Sequence, residues 1–208
     1  EEESLTSVNE DTRYSGSAPS LFYSFTYCDR MPPTAENHSI IQKKVCMVGA
    51  FATGKTSLVA RFVKGLYSDK YQTTVGVKID KKLVTAEAFT MNMILWDIHG
   101  EDEFQNVRMS YLRGAAAYLL VIDGTRRSSL EVALNLRAKV SESIGDIPFI
   151  VVVNKCDLQD EWEITEQDIA LLKEKRFDLV RTSAKTDVGI ENCFIQLANK
   201  IMSEAPKP

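Results

Sequence analysis

Gly49-Ala50-Phe51-Ala52-Thr53-Gly54-Lys55-Thr56 is the stretch on which the reading of this 208-residue chain turns. It fits the phosphate-loop pattern G-x-x-x-x-G-K-[ST], set between an apolar run, Val45 to Val48, and an amphipathic one, Thr56 to Val63. A tight loop between strand and helix turns successive backbone N–H groups inward, and the helix N-terminus adds its partial positive charge to that concave anion site. Gly49 and Gly54 admit backbone conformations closed to residues with a Cβ. Lys55 brings a point charge to the β- and γ-phosphates, and the Thr56 hydroxyl offers one oxygen ligand to a Mg²⁺ that otherwise keeps water and phosphate oxygens. The same pattern also describes an ordinary glycine-containing turn, so its meaning rests on what accompanies it.

Outward from this loop the chain alternates strand and helix. The runs Val45 to Val48, Met93 to Trp96, Tyr118 to Ile122 and Phe149 to Val153 are short and continuously apolar, as strands buried on both faces of a parallel sheet must be. Leu130, Ala133, Leu134, Arg137 and Val140 recur at helical spacing with one polar lapse, and Ile190, Phe194, Leu197, Ala198 and Ile201 form a cleaner stripe; both read as core-facing. Thr165 before Glu166-Gln167-Asp168 predicts a capped helix start. The alternation predicts a doubly wound, mostly parallel α/β domain over 43–203, followed by a short tail at 204–208, with ligands at the carboxyl ends of the strands.

Composition narrows the function. A net charge of −4 gives no basic excess, so a nucleic-acid surface is not expected. Residues 1–42 hold seven carboxylates against two arginines and lack helical periodicity, which predicts a disordered acidic extension. Within it Leu21-Phe22-Tyr23-Ser24-Phe25-Thr26-Tyr27 is an aromatic run with strand-like residue types, a candidate to dock on the domain or on a partner. Met31 before Pro32-Pro33 is a candidate start codon behind a leader. The cysteines Cys28, Cys46, Cys156 and Cys193 show neither zinc nor C-x-x-C spacing, and Cys46 and Cys193 read as small buried hydrophobes, which points to a reducing cytosolic setting. No apolar run is long enough to span a bilayer, the start Glu1-Glu2-Glu3 is unlike a signal peptide, and the end Ser203 to Pro208 carries no prenylation signal, so no direct membrane anchor is expected.

Further motifs stand at the predicted strand ends. Asp97, in Trp96-Asp97-Ile98-His99-Gly100, can hold Mg²⁺ through a water, and the Gly100 N–H can meet a γ-phosphate. Asn154-Lys155-Cys156-Asp157 follows Phe149 to Val153; guanine presents an N1–H and a 2-amine that one carboxylate accepts together, a donor pair that adenine lacks. Asn154 can tie this loop to the phosphate loop, and the stem of Lys155 can cover the base. In Ser183-Ala184-Lys185, after Phe177 to Arg181, a backbone N–H can meet the guanine carbonyl oxygen. Each motif alone can be a surface turn; their order and placement make coincidence a poor account.

On these motifs, with Tyr71-Gln72-Thr73-Thr74-Val75-Gly76-Val77 and Tyr111-Leu112-Arg113-Gly114-Ala115, the stretch from Lys43 to Met202 resembles the small GTPases of the Ras superfamily, most of all the Rab branch. The resemblance implies a P-loop NTPase fold, a GTP/GDP-binding molecular switch in vesicle trafficking, and effector, exchange and activating proteins as partners. It places the nucleotide against Gly49, Ala50, Phe51, Ala52, Thr53, Gly54, Lys55, Thr56 and Ser57, against Tyr67, Tyr71, Thr74 and Gly100, and against Asn154, Lys155, Asp157, Ser183, Ala184 and Lys185. It assigns Mg²⁺ to Thr56, Thr74 and, through water, Asp97, and catalysis to Lys55, Thr74, Gly100 and Glu101. Ile79, Trp96 and Tyr111 match an effector-facing triad, on which 21–27 is a candidate to dock in cis. Recruitment to membranes would then come through a partner.

Three residues depart from that family pattern. Glu101 stands where the water-orienting glutamine is usual; a carboxylate accepts from water but cannot donate to the transition state, and adds negative charge beside it. Phe51 replaces a small residue and its ring can block an arginine finger, and His99 replaces an alanine beside Gly100, as a satisfied loop histidine, as an aid to the water or as a sensor of pH. Slow hydrolysis is therefore expected, and two readings stand: a cycling switch, or a GTP-bound scaffold that does not cycle by its own hydrolysis. An ATP-using kinase or ATPase is disfavoured by Asp157 and by Ser183 to Lys185.

Overall fold

The computed structural model describes residues 40–68, 73–86, 89–100 and 109–204. In chain order the elements are β1 (Ile41–Gly49), α1 (Lys55–Lys64), β2 (Val77–Ala86), β3 (Phe89–Ile98), β4 (Ala117–Asp123), α2 (Ser128–Ile144), β5 (Phe149–Asn154), α3 (Glu166–Glu174), β6 (Leu179–Arg181) and α4 (Ile190–Glu204). The strands form one six-stranded sheet in the order β2-β3-β1-β4-β5-β6. Every neighbouring pair is parallel except β2 and β3, which run antiparallel.

Side chains alternate across a strand, so each central strand feeds two cores. Val45 and Met47 of β1, Leu119 and Val121 of β4, and Ile150 and Val152 of β5 face α1 and α4, which contribute Leu58, Phe62, Phe194 and Leu197. Cys46, Val48, Leu120, Ile122, Val151 and Val153 face the other way, against Leu130, Ala133 and Leu136 of α2 and Ile169 and Leu172 of α3. Helices on both faces make the fold the doubly wound α/β sheet expected of a small GTPase, and explain why its inner strands read as unbroken apolar runs. Phe62 stacks on Phe194 with ring centroids 3.8 Å apart, locking α1 to α4.

Local chemistry sets the helix ends. α1 starts at Gly54 with no side-chain cap and no acidic residue in its first turn, and stops at Gly65, whose left-handed φ of 65° lets its N–H return to the Arg61 carbonyl at 2.8 Å. α3 has the reciprocal cap foreseen at Thr165: its hydroxyl accepts from the Asp168 N–H and its own N–H donates to the Asp168 carboxylate.

The structure differs from the sequence reading in three places. Strand pairing begins at Ile41, opposite Met91, ahead of the Lys43 at which the domain was expected to start. On α2 the buried stripe is Leu130, Ala133, Leu136 and Val140; Leu134 is half-buried, and Arg137 turns to Asp146 at 2.8 Å instead. β2 carried no signal strong enough to name it. It is an edge strand, its charged run Lys78-Ile79-Asp80-Lys81-Lys82 sits largely in solvent, and only Val84 is fully buried. The carboxyl ends of β1, β3, β4, β5 and β6 lie at one edge of the sheet, which brings Gly49, Ile98, Asp123, Asn154 and Arg181 together.

Candidate functional site

Two adjoining clefts open at that edge. The larger, about 270 Å³, is lined by phosphate-loop residues including Phe51, Gly54, Lys55, Thr56 and Ser57, with Tyr67, Thr74, His99 and Gly100. The smaller, about 120 Å³, is lined by Gly54, Ser57, Tyr67, Asn154, Lys155, Asp157, Leu158, Ala184 and Lys185. Tyr71, Glu101 and the 21–27 run lie outside the described residues.

In the larger cleft the Lys55 ammonium is buried and donates to the carbonyls of Gly49 at 3.1 Å and Ala50 at 2.7 Å. Burial pulls its pKa down to about 8; nearby Arg126 pulls the same way, and Asp97 opposes them. A charge held at that cost favours an anion beside it. Gly100 packs so closely on the loop that a Cβ there would run into Lys55 Nζ, the Ala50 carbonyl and Phe51 Cα. Gly54, at φ 92°, leaves the same lack of room beside the Asn154 amide.

Three oxygens converge below the loop. Thr56 Oγ1 donates to Asp97 Oδ2 at 2.7 Å, Thr56 and Thr74 hydroxyls are 2.8 Å apart, and Thr74 Oγ1 lies 3.4 Å from the same carboxylate oxygen. Asp97 is 1% exposed, and its Oδ1 is buried without a hydrogen-bond partner. Burial pushes its carboxyl above the usual range, against the Thr56 hydrogen bond and the Lys55 charge. Among the described residues no cluster of three or more His, Cys, Asp or Glu side chains forms, so a soft-metal cage is not what is built here. Two hydroxyls and one under-satisfied carboxylate are hard oxygen donors, which fit Mg²⁺.

Asn154 joins the two clefts. Its Nδ2 donates to the Thr53 carbonyl at 3.0 Å, while its Oδ1 accepts from Thr182 Oγ1 at 3.2 Å and from the Ala184 N–H at 3.3 Å. The Asp157 carboxylate accepts from Ser183 Oγ at 2.5 Å, which fixes one oxygen and leaves the group on the wall of the smaller cleft. Lys155 lines both clefts, its ammonium anchored on Asp123 Oδ2 at 2.7 Å.

Several of these contacts escape sequence reasoning. His99 Nδ1 reaches the Thr74 carbonyl, and its Nε2 is buried without a partner. The Arg126 guanidinium donates to the Phe51 carbonyl. Asp123 and Arg126 could have been found from their place just after a buried strand, at the edge where ligands sit. The expected triad is only partly a free surface: Ile79 is 48% exposed and directly opposite Trp96 in the β2–β3 pairing, but Lys44 Nζ lies 3.6 Å from the centroid of the Trp96 ring, and Tyr111 is half-buried.

Comparison with known proteins places this arrangement. The sequence model of the Ras family matches residues 44–203. The chain is 30% identical to the Ras-related protein Rab-7b of Bos taurus over 167 residues, covering 78% of this chain and 84% of that protein. It is 30% identical to the Ras-related protein Rab-37 of Homo sapiens, covering 85% and 80%, and 28% identical to the Ras-related protein Rab5 of Nicotiana tabacum, covering 83% and 87%. With its sheet order, its two clefts and a match over most of its length, the chain belongs to the Ras family and is similar within it to the Rab proteins.

Proposed function

We propose that the protein is a guanine-nucleotide switch that binds Mg²⁺ with GTP or GDP, hydrolyses GTP slowly and offers an effector surface in the GTP state. The observation that carries this reading is the meeting of the Thr74 hydroxyl with the Thr56 hydroxyl at 2.8 Å over Asp97, which ties the segment before β2 to the phosphate loop. In the GTP state Mg²⁺ and the γ-phosphate would strengthen this hold, and loss of the γ-phosphate would release the segment, which is the order–disorder element a switch needs.

In this reading the uncapped start of α1 and the Lys55 ammonium take the β- and γ-phosphates, and Gly100 lies where its N–H meets the γ-phosphate. Thr56, Thr74 and, through water, Asp97 hold Mg²⁺, which when bound neutralises charge on the phosphate oxygens. Asp157 accepts from the guanine N1–H and amine, Lys155 and Tyr67 flank the base, and the 183–185 loop meets the guanine carbonyl. Ile79, with Trp96 opposite it on β3, and Tyr111 carry the effector contact. Among the described residues no helix is long and apolar enough to cross a membrane, and membrane recruitment through a partner completes the proposal.

A second reading, a GTP-bound scaffold that does not cycle by its own hydrolysis, is favoured by one observation: His99 holds the Thr74 carbonyl with a protein contact that needs no phosphate. Glu101 and Phe51 point the same way. Mass analysis of the nucleotide retained on purification, followed by single-turnover hydrolysis with and without cell extract, separates the two. Bound GDP and a rate raised by extract support the switch; bound GTP with no turnover in either condition leaves the scaffold.

A further inference from the structure

Arg61 sits on α1, between the phosphate loop and the base-reading loop, and no motif points to it. Its guanidinium spends all three nitrogens on main-chain carbonyls: Nε on Ala184 at 2.8 Å, Nη2 on Lys185 at 2.9 Å and Nη1 on Gly65 at 3.0 Å. Two of these belong to the 183–185 loop that walls the smaller cleft, and the third closes α1 just before Tyr67, whose ring centroid lies 5.9 Å from the guanidinium carbon. One side chain therefore sets the spacing between the helix that starts at the phosphate loop and the backbone that faces the base.

The direction of that backbone follows from peptide geometry. A trans peptide points its N–H opposite to its C=O, so holding the carbonyls of Ala184 and Lys185 on the α1 side fixes where the N–H groups of Lys185 and Thr186 point. The second of these is visible: the Thr186 N–H donates to Ser183 Oγ at 3.0 Å, and Ser183 Oγ in turn donates to Asp157 at 2.5 Å. A lysine cannot replace this fork, because its single ammonium has no planar set of donors to hold three carbonyls in fixed relation.

We infer that Arg61 is a specificity-determining positioning residue, which holds the 183–185 backbone where an N–H reads the carbonyl oxygen of guanine. The inference rests on the guanine-nucleotide reading above. It separates two halves of base recognition: Asp157 reads N1–H and the 2-amine, and the loop held by Arg61 reads the 6-oxygen.

Competition binding on the full chain tests this with GDP, 6-thio-GDP and IDP against the parent, Arg61→Lys and Arg61→Ala. Sulfur at position 6 is a weak acceptor and keeps the other two groups, whereas IDP keeps the oxygen and lacks the amine. In both variants the preference for GDP over 6-thio-GDP falls roughly tenfold, the upper end of what one neutral N–H···O hydrogen bond carries, while the preference for GDP over IDP stays at the parent value. Should the alanine variant fail to fold, the lysine variant decides by the same two ratios. Both ratios unchanged, both falling in parallel, or full retention by Arg61→Lys would overturn the inference. A parent protein that does not bind GDP would instead overturn the guanine-nucleotide reading itself.

Discussion

Nδ1 of His99 donates to the carbonyl of Thr74 across 2.9 Å, and the His99 backbone N–H donates to the carbonyl of Gly76 at 3.0 Å. A carbonyl has only lone pairs to offer, so the Nδ1 proton is fixed by the bond. Together the two bonds continue the β2–β3 ladder past Val77 and Ile98 and draw the Thr74 hydroxyl to Thr56. His99→Ala removes the side-chain half of the clasp. Release of a fluorescent GTP analogue from that variant is expected to speed up roughly tenfold at limiting Mg²⁺, and less at saturating Mg²⁺. Equal release rates for variant and parent at all Mg²⁺ concentrations would show that the clasp carries nothing.

Ala52 stands at φ 61°, a left-handed conformation that costs a residue with a Cβ about 1–2 kcal/mol. The carbonyl of the preceding residue, Phe51, is held by the Arg126 guanidinium, so the Ala52 N–H is turned away from Arg126. Arg126→Ala is expected to weaken nucleotide binding, and Ala52→Gly to relieve most of that loss because glycine takes the conformation without help. The double-mutant cycle should show a coupling of about 1 kcal/mol; strictly additive losses would contradict it.

Asp168 anchors the start of α3, accepting from Arg127 Nη2 at 2.9 Å and from the Thr165 hydroxyl and N–H at 2.7 and 3.0 Å. The Arg127 hydrogen bond, with those from Thr165, holds its carboxyl well below the usual range, against the burial that raises it. A depressed carboxylate gives stability that is complete above its unfolded value near 4 and lost as pH falls toward the folded one. Asp168→Asn is therefore expected to lower the urea midpoint at about pH 6 and to shrink that deficit at about pH 3. A deficit of the same size at both pH values would refute the assignment.

The inner sheet was legible because strands covered on both faces must be apolar throughout, and Val45 to Val48, Tyr118 to Ile122 and Phe149 to Val153 carry nothing else. β2 was not, because an edge strand with only Val84 fully buried can carry four charged residues among its ten, Lys78, Asp80, Lys81 and Lys82. The same split runs through the site. Lys55, Asp97 and Asp157 stand in fixed local patterns, and the structure places each on its cleft or at its base. Arg61, Arg126 and Asp123 act on residues far along the chain, through bonds to main-chain carbonyls or to Lys155, and no local pattern encodes a partner 123 positions away. Leu136 took the place expected for Leu134 because both fit a helical stripe, and only packing against β4 and β5 chooses between them.

The Asp157 carboxylate, fixed by Ser183 Oγ at 2.5 Å on the wall of the smaller cleft, is the group on which the choice of base turns. Xanthine offers a carbonyl where guanine offers an amine, so exchanging the carboxylate for an amide exchanges the base that fits. Relative affinities for GDP and XDP, measured by competition on the parent and on Asp157→Asn, give the answer. The parent is expected to prefer GDP and the variant XDP; an Asp157→Asn protein that favours GDP as strongly as the parent does would contradict the nucleotide site and the switch built on it.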